Sequence, residues 1–174
     1  MFKLAVLSLI LPAFLLPSVS GRQKGEWVKL APVGAGFSVM MPAKPDDETR
    51  MGEEVSWHIF SLTTDKTIYI VGYGDYPPDT RFNVDRELVT NRDKFLKGLG
   101  ATLDTSKQIE AGGHRGLEFT GHDDKTEIKS RLYIFGNRIH QIATAVMGGE
   151  NDSANVDRFF ASFSFTNSES RPKP

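Results

Sequence analysis

Gly121-His122-Asp123-Asp124 places one imidazole and two carboxylates in consecutive positions, a donor set that a divalent cation could use. The same residue types are what a hairpin loop between Phe119 and Ile128 demands, because glycine and aspartate tolerate turn backbone and aspartate bonds to it. His122, Asp123 and Asp124 are thus the metal candidates of this chain, weighed against an ordinary polar turn. No His-x-x-x-His or His-Glu-x-x-His spacing supports a zinc site. Cysteine is absent, which removes thiol catalysis, thiolate zinc and iron–sulfur clusters. A Ser-His-Asp triad assembles in space rather than in sequence, but no Gly-x-Ser-x-Gly elbow is present to carry one. The expectation is a protein that is not an enzyme and carries no cofactor.

Gly72-Tyr73-Gly74-Asp75-Tyr76-Pro77-Pro78 is the segment best suited to meet a partner. Glycines flank an aromatic at a strand end, and an extended proline loop would hold Tyr76 at low entropic cost. Tyr73, Asp75 and Tyr76 are the candidate partner-binding residues; the competing reading tucks both rings against the sheet edge. His140 falls opposite Tyr133 in the hairpin derived below and reads as a ring covering a strand face rather than a base. Asn151-Asp152-Ser153 matches a glycosylation acceptor and equally a helix cap.

The elements that must hold these residues are legible in the periodicities. Trp27-Val28-Lys29-Leu30 and Phe37-Ser38-Val39-Met40-Met41 are short apolar segments, the second stopped by Pro42 with Pro45 behind it. Asp46 to Glu53 reads as a charged loop or hairpin end. Val55 to Leu62 alternates Val55, Trp57, Ile59 against Ser56, His58, Phe60, and with Thr67 to Tyr73 predicts a hairpin. From Asn83 the period becomes helical through Val84, Leu88, Phe95 and Leu99, with Asn83 as cap and Gly98 or Gly100 as stop.

Two hairpins follow. A turn at Gly112-Gly113 sets Glu110 opposite Arg115 and Lys107 opposite Glu118, so two opposite-charge pairs support one register. A turn at Gly136-Asn137 sets Ile134 opposite Ile139, Leu132 opposite Gln141 and Ser130 opposite Ala143 on an apolar face. The other face, with Tyr133 opposite His140 and Arg131 opposite Ile142, is half polar and is expected to contribute to binding. Val156, Phe159, Phe160 and Phe163 follow at i, i+3, i+4, i+7 in a closing helix, and Phe163-Ser164-Phe165 ends the fold as a strand.

The N-terminus carries an address. One lysine, an apolar run from Leu4 to Leu16, and small residues at Ser18 and Ser20 predict a signal peptide over residues 1–20. The run is too short for a span, which needs about 20 apolar residues, so no membrane span remains after cleavage near Ser20. The expected organisation is a flexible leader over 21–26, one α+β domain over 27–166, and a disordered tail over 167–174. Cleavage removes Lys3 and leaves a chain one unit more negative than the formal −1, a balance that does not attract nucleic acid. The predicted location is secreted or periplasmic, and the protein is read as a monomer.

Gly36-Phe37-Ser38-Val39-Met40-Met41-Pro42 at the start and Phe159-Phe160-Ala161-Ser162-Phe163 at the end, with the element order between them, resemble the Mog1/PsbP-like superfamily. That group contains photosystem II extrinsic proteins, a regulator of the nuclear-transport GTPase and exported bacterial proteins of unknown role. The resemblance covers Trp27 to Phe165 and implies an α/β sandwich that binds partners without catalysis; no functional residue carries over from it. The fold expected is a single, mostly antiparallel sheet flanked by helices. The function expected is an exported, non-catalytic domain binding a protein partner or envelope component. Two alternatives stand beside it: a small-ligand or divalent-cation carrier with a pocket near Tyr73, His122 and Asp123, and a hydrolase with an unrecognised site.

Overall fold

The computed structural model describes residues 26–52, 55–81 and 83–166, so the expected signal peptide, nearly all of the leader and the tail lie outside the described residues. The elements run β1 (Val28–Leu30), β2 (Phe37–Met41), β3 (Asp46–Met51), β4 (Ser56–Thr63), β5 (Thr67–Asp75), α1 (Val84–Leu99), β6 (Thr102–Ala111), β7 (His114–His122), β8 (Thr126–Phe135), β9 (Arg138–Met147), α2 (Ser153–Ser162) and β10 (Ser164–Phe165).

Two sheets form rather than the single sheet expected. Seven strands make one in the order β3-β4-β5-β9-β8-β7-β6, every neighbouring pair antiparallel, and three make the other in the order β1-β2-β10. Prolines 42 and 45 separate them: neither can donate to a ladder, so β2 cannot run on into the next strand and the chain crosses from one layer to the other. The charged stretch beyond them is a strand, not a loop. Asp46–Met51 pairs along β4 as an edge, and because an exposed edge needs no apolar face, its Asp46, Asp47 and Glu48 blunt further pairing instead of preventing the first.

Helix α1 is built as its sequence prescribes. The Asn83 carboxamide accepts from the Arg86 N–H at 3.0 Å, and Gly100, at φ 67°, closes the helix in the left-handed conformation that only glycine adopts readily. Its Leu88 and Leu96 bury against Leu117, Phe119, Ile128 and Leu132 on one face of the large sheet. The opposite face carries the other core: Phe37, Val39 and Met41 of β2 and Val156, Phe159 and Phe160 of α2 pack on Phe60, Tyr69, Val71 and Ile142. The half-polar face of the β8–β9 hairpin, expected to be open, is therefore largely covered. Tyr133, His140, Ile142 and Thr144 are buried, and the Phe163 ring stacks on Tyr133 at 5.8 Å with planes 5° apart. Its outer part, Lys129 and Arg131, reaches solvent with both cations lying over the Phe160 ring, as does its tip at Phe135 and Arg138.

Candidate functional site

The metal candidates resolve into a turn. The Asp123 carboxylate accepts from the backbone N–H groups of Lys125 and Thr126, both at 2.7 Å, and these bonds hold its carboxyl below the usual carboxylate range. His122 turns the other way and meets Asp104 at 2.8 Å, whose carboxylate raises the imidazole's proton affinity. Among the described residues no group of three or more His, Asp or Glu is placed to hold a metal ion. Nor do Tyr73 and His122 share a pocket. His122 lies in the row of Glu127, Val146 and Thr67, whereas Tyr73 lies in the row of His140 and Tyr133, six residues further along β5 and so about 20 Å away.

The four histidines occupy unrelated surroundings. His58 stacks on Tyr73 and meets the Thr49 hydroxyl; His114 lies against Phe135 and Phe165; His122 bonds Asp104; His140 faces the Ala35 carbonyl at 3.0 Å. A groove of about 560 Å³ runs between the end of β6 and the α2–β10 segment, walled by Ile109, Tyr133, Phe160, Phe163 and Phe165. Its charged lining residues are Glu110 and Arg131, and Arg131 is held by Glu118 at 2.6 Å. The histidines bring one hydroxyl beside an imidazole, Thr49 against His58 on the exposed β3–β4 edge, and the groove is lined by no histidine.

The partner-binding candidates lie where β5 leaves the sheet. Tyr73 and Tyr76 are both 8% exposed, so their rings serve the two cores rather than solvent. Three positions apart on a backbone that alternates faces, they fall on opposite sides of the sheet: Tyr73 joins the α2 layer and Tyr76 the α1 layer. Tyr76 donates to Glu87 at 2.6 Å and accepts from Asn91, which fixes the loop to α1. Glycine at position 74 is required for close approach, since a Cβ there would lie 2.6 Å from Val55 and 3.0 Å from the Trp57 ring.

Asp75 carries the most structured polar contact of this end. Arg138 donates to both its carboxylate oxygens, at 2.6 and 2.8 Å, donates a third bond to the Gly34 carbonyl, and lays its guanidinium 4.3 Å from the Tyr73 ring centroid. This planar fork fits a carboxylate in two-point contact and an aromatic face at once. One side chain thereby ties β5, β9 and the β1–β2 loop together.

Around that clamp the molecule exposes apolar side chains. Val33, beside Gly34, is 102% exposed; Met51, whose partner Ser56 pairs with Asp75, is 80% exposed; Phe135, directly opposite Arg138, is 52% exposed. Pro77 and Pro78 continue the same rim, and Asn137 locks them in place: its backbone carbonyl accepts from the Tyr76 N–H and its side-chain amide donates to the Tyr76 carbonyl. Sequence reasoning missed Arg138, Val33 and Phe135. The register of the β8–β9 hairpin already placed Phe135 and Arg138 opposite each other at its tip, and tip residues escape the cover that buries the rest of their face.

A seven-stranded antiparallel sheet with one helix on one face, and a second helix with a three-stranded sheet on the other, is the architecture of PsbP-like proteins. The solution structure of cyanobacterial PsbP (CyanoP) from Synechocystis sp. PCC 6803 superposes with a TM-score of 0.59 over 87% of this chain and 99% of that one, at 12% identity. The chain therefore has the PsbP-like fold. A crystal structure from Bacteroides thetaiotaomicron VPI-5482 aligns with a TM-score of 0.44 at 16% identity, over 86% of this chain and 51% of that one, and adds nothing to the assignment. No family model matches the sequence, and no curated protein does.

Proposed function

We propose that this protein is an exported, non-catalytic accessory domain, folded over residues 27–166, that binds a protein partner or envelope component through the loop end of its large sheet. The observation that supports this most is the pairing of exposure with rigidity at that end. Val33, Met51 and Phe135 stand in solvent around a bidentate Asp75–Arg138 clamp, with Tyr73 and Tyr76 buried behind it. Apolar groups on a pre-ordered frame bind with little loss of conformational entropy, which supports reading this end as the interaction surface. The PsbP-like fold supports an accessory rather than an enzymatic role. Among the described residues no helix is long and apolar enough to cross a membrane. Export is read from the leading segment, and the mass of the mature protein recovered from its native host is expected to correspond to a chain starting at Gly21.

Replacing Val33 and Phe135 together by Ser removes the apolar rim while leaving both cores intact. The double variant is expected to retain its parent's melting temperature within a few degrees, because exposed substitutions cost less than about 0.5 kcal/mol each. In a pull-down from the host's envelope fraction it is expected to lose the proteins its parent retains. Equal recovery by parent and variant would end the assignment of this surface.

A further inference from the structure

We propose that His140 is a proton-operated latch between the two sheets, and that charging its ring releases the β1–β2–β10 layer from the large sheet in mild acid. His140 sits on β9, with β5 and β8 hydrogen-bonded on either side, so the strand that carries it is fixed. Its ring points into the junction, 2% exposed, against Phe37 at 6.0 Å and Phe165 at 5.3 Å, the two residues that β2 and β10 place opposite each other. Nε2 lies 3.0 Å from the Ala35 carbonyl, an acceptor, so the neutral ring carries its proton there. Nδ1 is left as a buried lone pair with no partner.

A second proton would have to sit on that Nδ1, and the surroundings do not supply an acceptor for it. On β9 the nearest charge is Arg138, of the same sign. On β5 the Asp75 carboxylate is already engaged through both oxygens by Arg138, and Tyr73 is held neutral by burial. Tyr133 on β8 is likewise held neutral by burial, and His114 on β7 can add only positive charge. From the small layer come Ala35, Gly36, Phe37, Phe163 and Phe165, none of them titratable. A buried charge without a counterion is relieved by water, and water reaches this ring only if one side of the junction opens. The side that gives is the small layer, held by ladders of three and two residue pairs, not the seven-stranded sheet. Burial pushes His140 down to about 4, which sets the closed state's resistance to the proton.

Opening moves the Val33–Gly34 loop away from Arg138, so binding at that end would weaken in acid. That consequence alone rests on the function proposed above; the latch itself does not.

Hydrogen exchange of the mature protein, without any partner, reads the latch directly. Rates are normalised to unstructured-chain values at each pH. A ring titrating near 6.5 when open and near about 4 when closed raises the opening constant of residues 27–41 roughly 50- to 100-fold between about pH 7.5 and 4.5, while 88–96 in the opposite layer stay unchanged. His140→Gln keeps an N–H for Ala35 but takes no proton, and His140→Phe fills the site with carbon; both are expected to flatten the dependence. Ring-proton titration of His140 by NMR in the unmodified chain supplies the reading if neither variant folds: a midpoint well below 6.5 supports the latch. A midpoint at 6.5, equal loss of protection in both layers, or an undiminished pH response in the variants would overturn it.

Discussion

Asp152→Ala is expected to cost about 3 kcal/mol of folding stability although the residue touches no proposed binding surface. Its Oδ2 accepts from the Thr67 hydroxyl at 2.6 Å and the Tyr69 hydroxyl at 2.7 Å, and its Oδ1 accepts from the Asn155 amide at 2.6 Å. Its backbone carbonyl accepts the first bonds of α2, from Asn155 and Val156. The carboxylate thus ties the start of α2 to the start of β5, across 85 and 83 residues of chain. Alanine leaves two hydroxyls without an acceptor in a buried site, and hydrogen bonds to charged groups contribute about 1.5–3 kcal/mol each. Asp152→Asn keeps one carbonyl acceptor and is expected to lose about half as much. A double-mutant cycle with Tyr69→Phe should give a coupling of at least about 1 kcal/mol, since the two groups share a bond. Urea melts of the parent and the four variants measure all of this, and a loss under about 1 kcal/mol for the alanine variant would refute it.

The same network sets two limits in pH. Burial works against the charged form of Asp152, but the bonds from Thr67, Tyr69 and Asn155 outweigh it and hold the carboxyl below its ordinary value of 3.8. A depressed carboxyl contributes stability that is fully present above the unfolded value and is lost as pH falls through the folded one, so this loss lies below about pH 4. Tyr69 runs the other way: burial, then its bond to Asp152, raises the phenol above its ordinary 10.0, and its contribution is lost only in strong alkali. His140 acts between these limits. Its depressed value makes the unfolded chain the better proton acceptor from about 6.5 down to about 4, so stability declines through that window before Asp152 begins to titrate.

Local rules were readable where one residue decides one geometry. The Gly112-Gly113 turn and its charge pairs lead to the observed register, with Lys107 opposite Glu118 and Glu110 opposite Arg115. The Gly136-Asn137 turn likewise places Tyr133 opposite His140 and Ile134 opposite Ile139. Asn83 and Gly100 bound α1 as read. What escaped the sequence was which layer covers which face. Alternation shows that Tyr133 and His140 share a side, but whether that side meets water depends on β2 and β10, more than 90 residues before Tyr133 and about 30 after it. Asp152 shows the same limit: its position before a helix suggests a cap, yet its side chain makes no cap bond and turns to β5 instead. Asp75 was marked by sequence as a contact residue, and the structure adds the partner, Arg138, that makes it rigid.

Phe159→Ala is expected to have the largest effect of any single truncation in the α2 layer, about 3–5 kcal/mol. Val156, Phe159 and Phe160 form one buried stripe of a 10-residue helix, and Phe159 is its fully buried centre. Its ring meets Tyr69 edge-on at 5.2 Å and Phe160 at 5.7 Å, so its removal opens a cavity beneath the helix and beside the Asp152–Tyr69 bond. The neighbours cannot close over it. Tyr69 is pinned by its hydroxyl, Phe160 is covered by Lys129 and Arg131, and the chain beyond the helix is fixed by Phe163 stacked on Phe37 and Tyr133. A site that cannot collapse retains its cavity, and the cost of truncation rises with the volume left behind. At a urea slope of about 2 kcal/mol per molar, the unfolding midpoint should fall by roughly 2 M. Phe159→Leu refills most of the space and should recover more than half of the loss. Equal midpoints for the alanine and leucine variants would mean that the layer relaxes around the gap, and that α2 is held by its ends rather than by this ring.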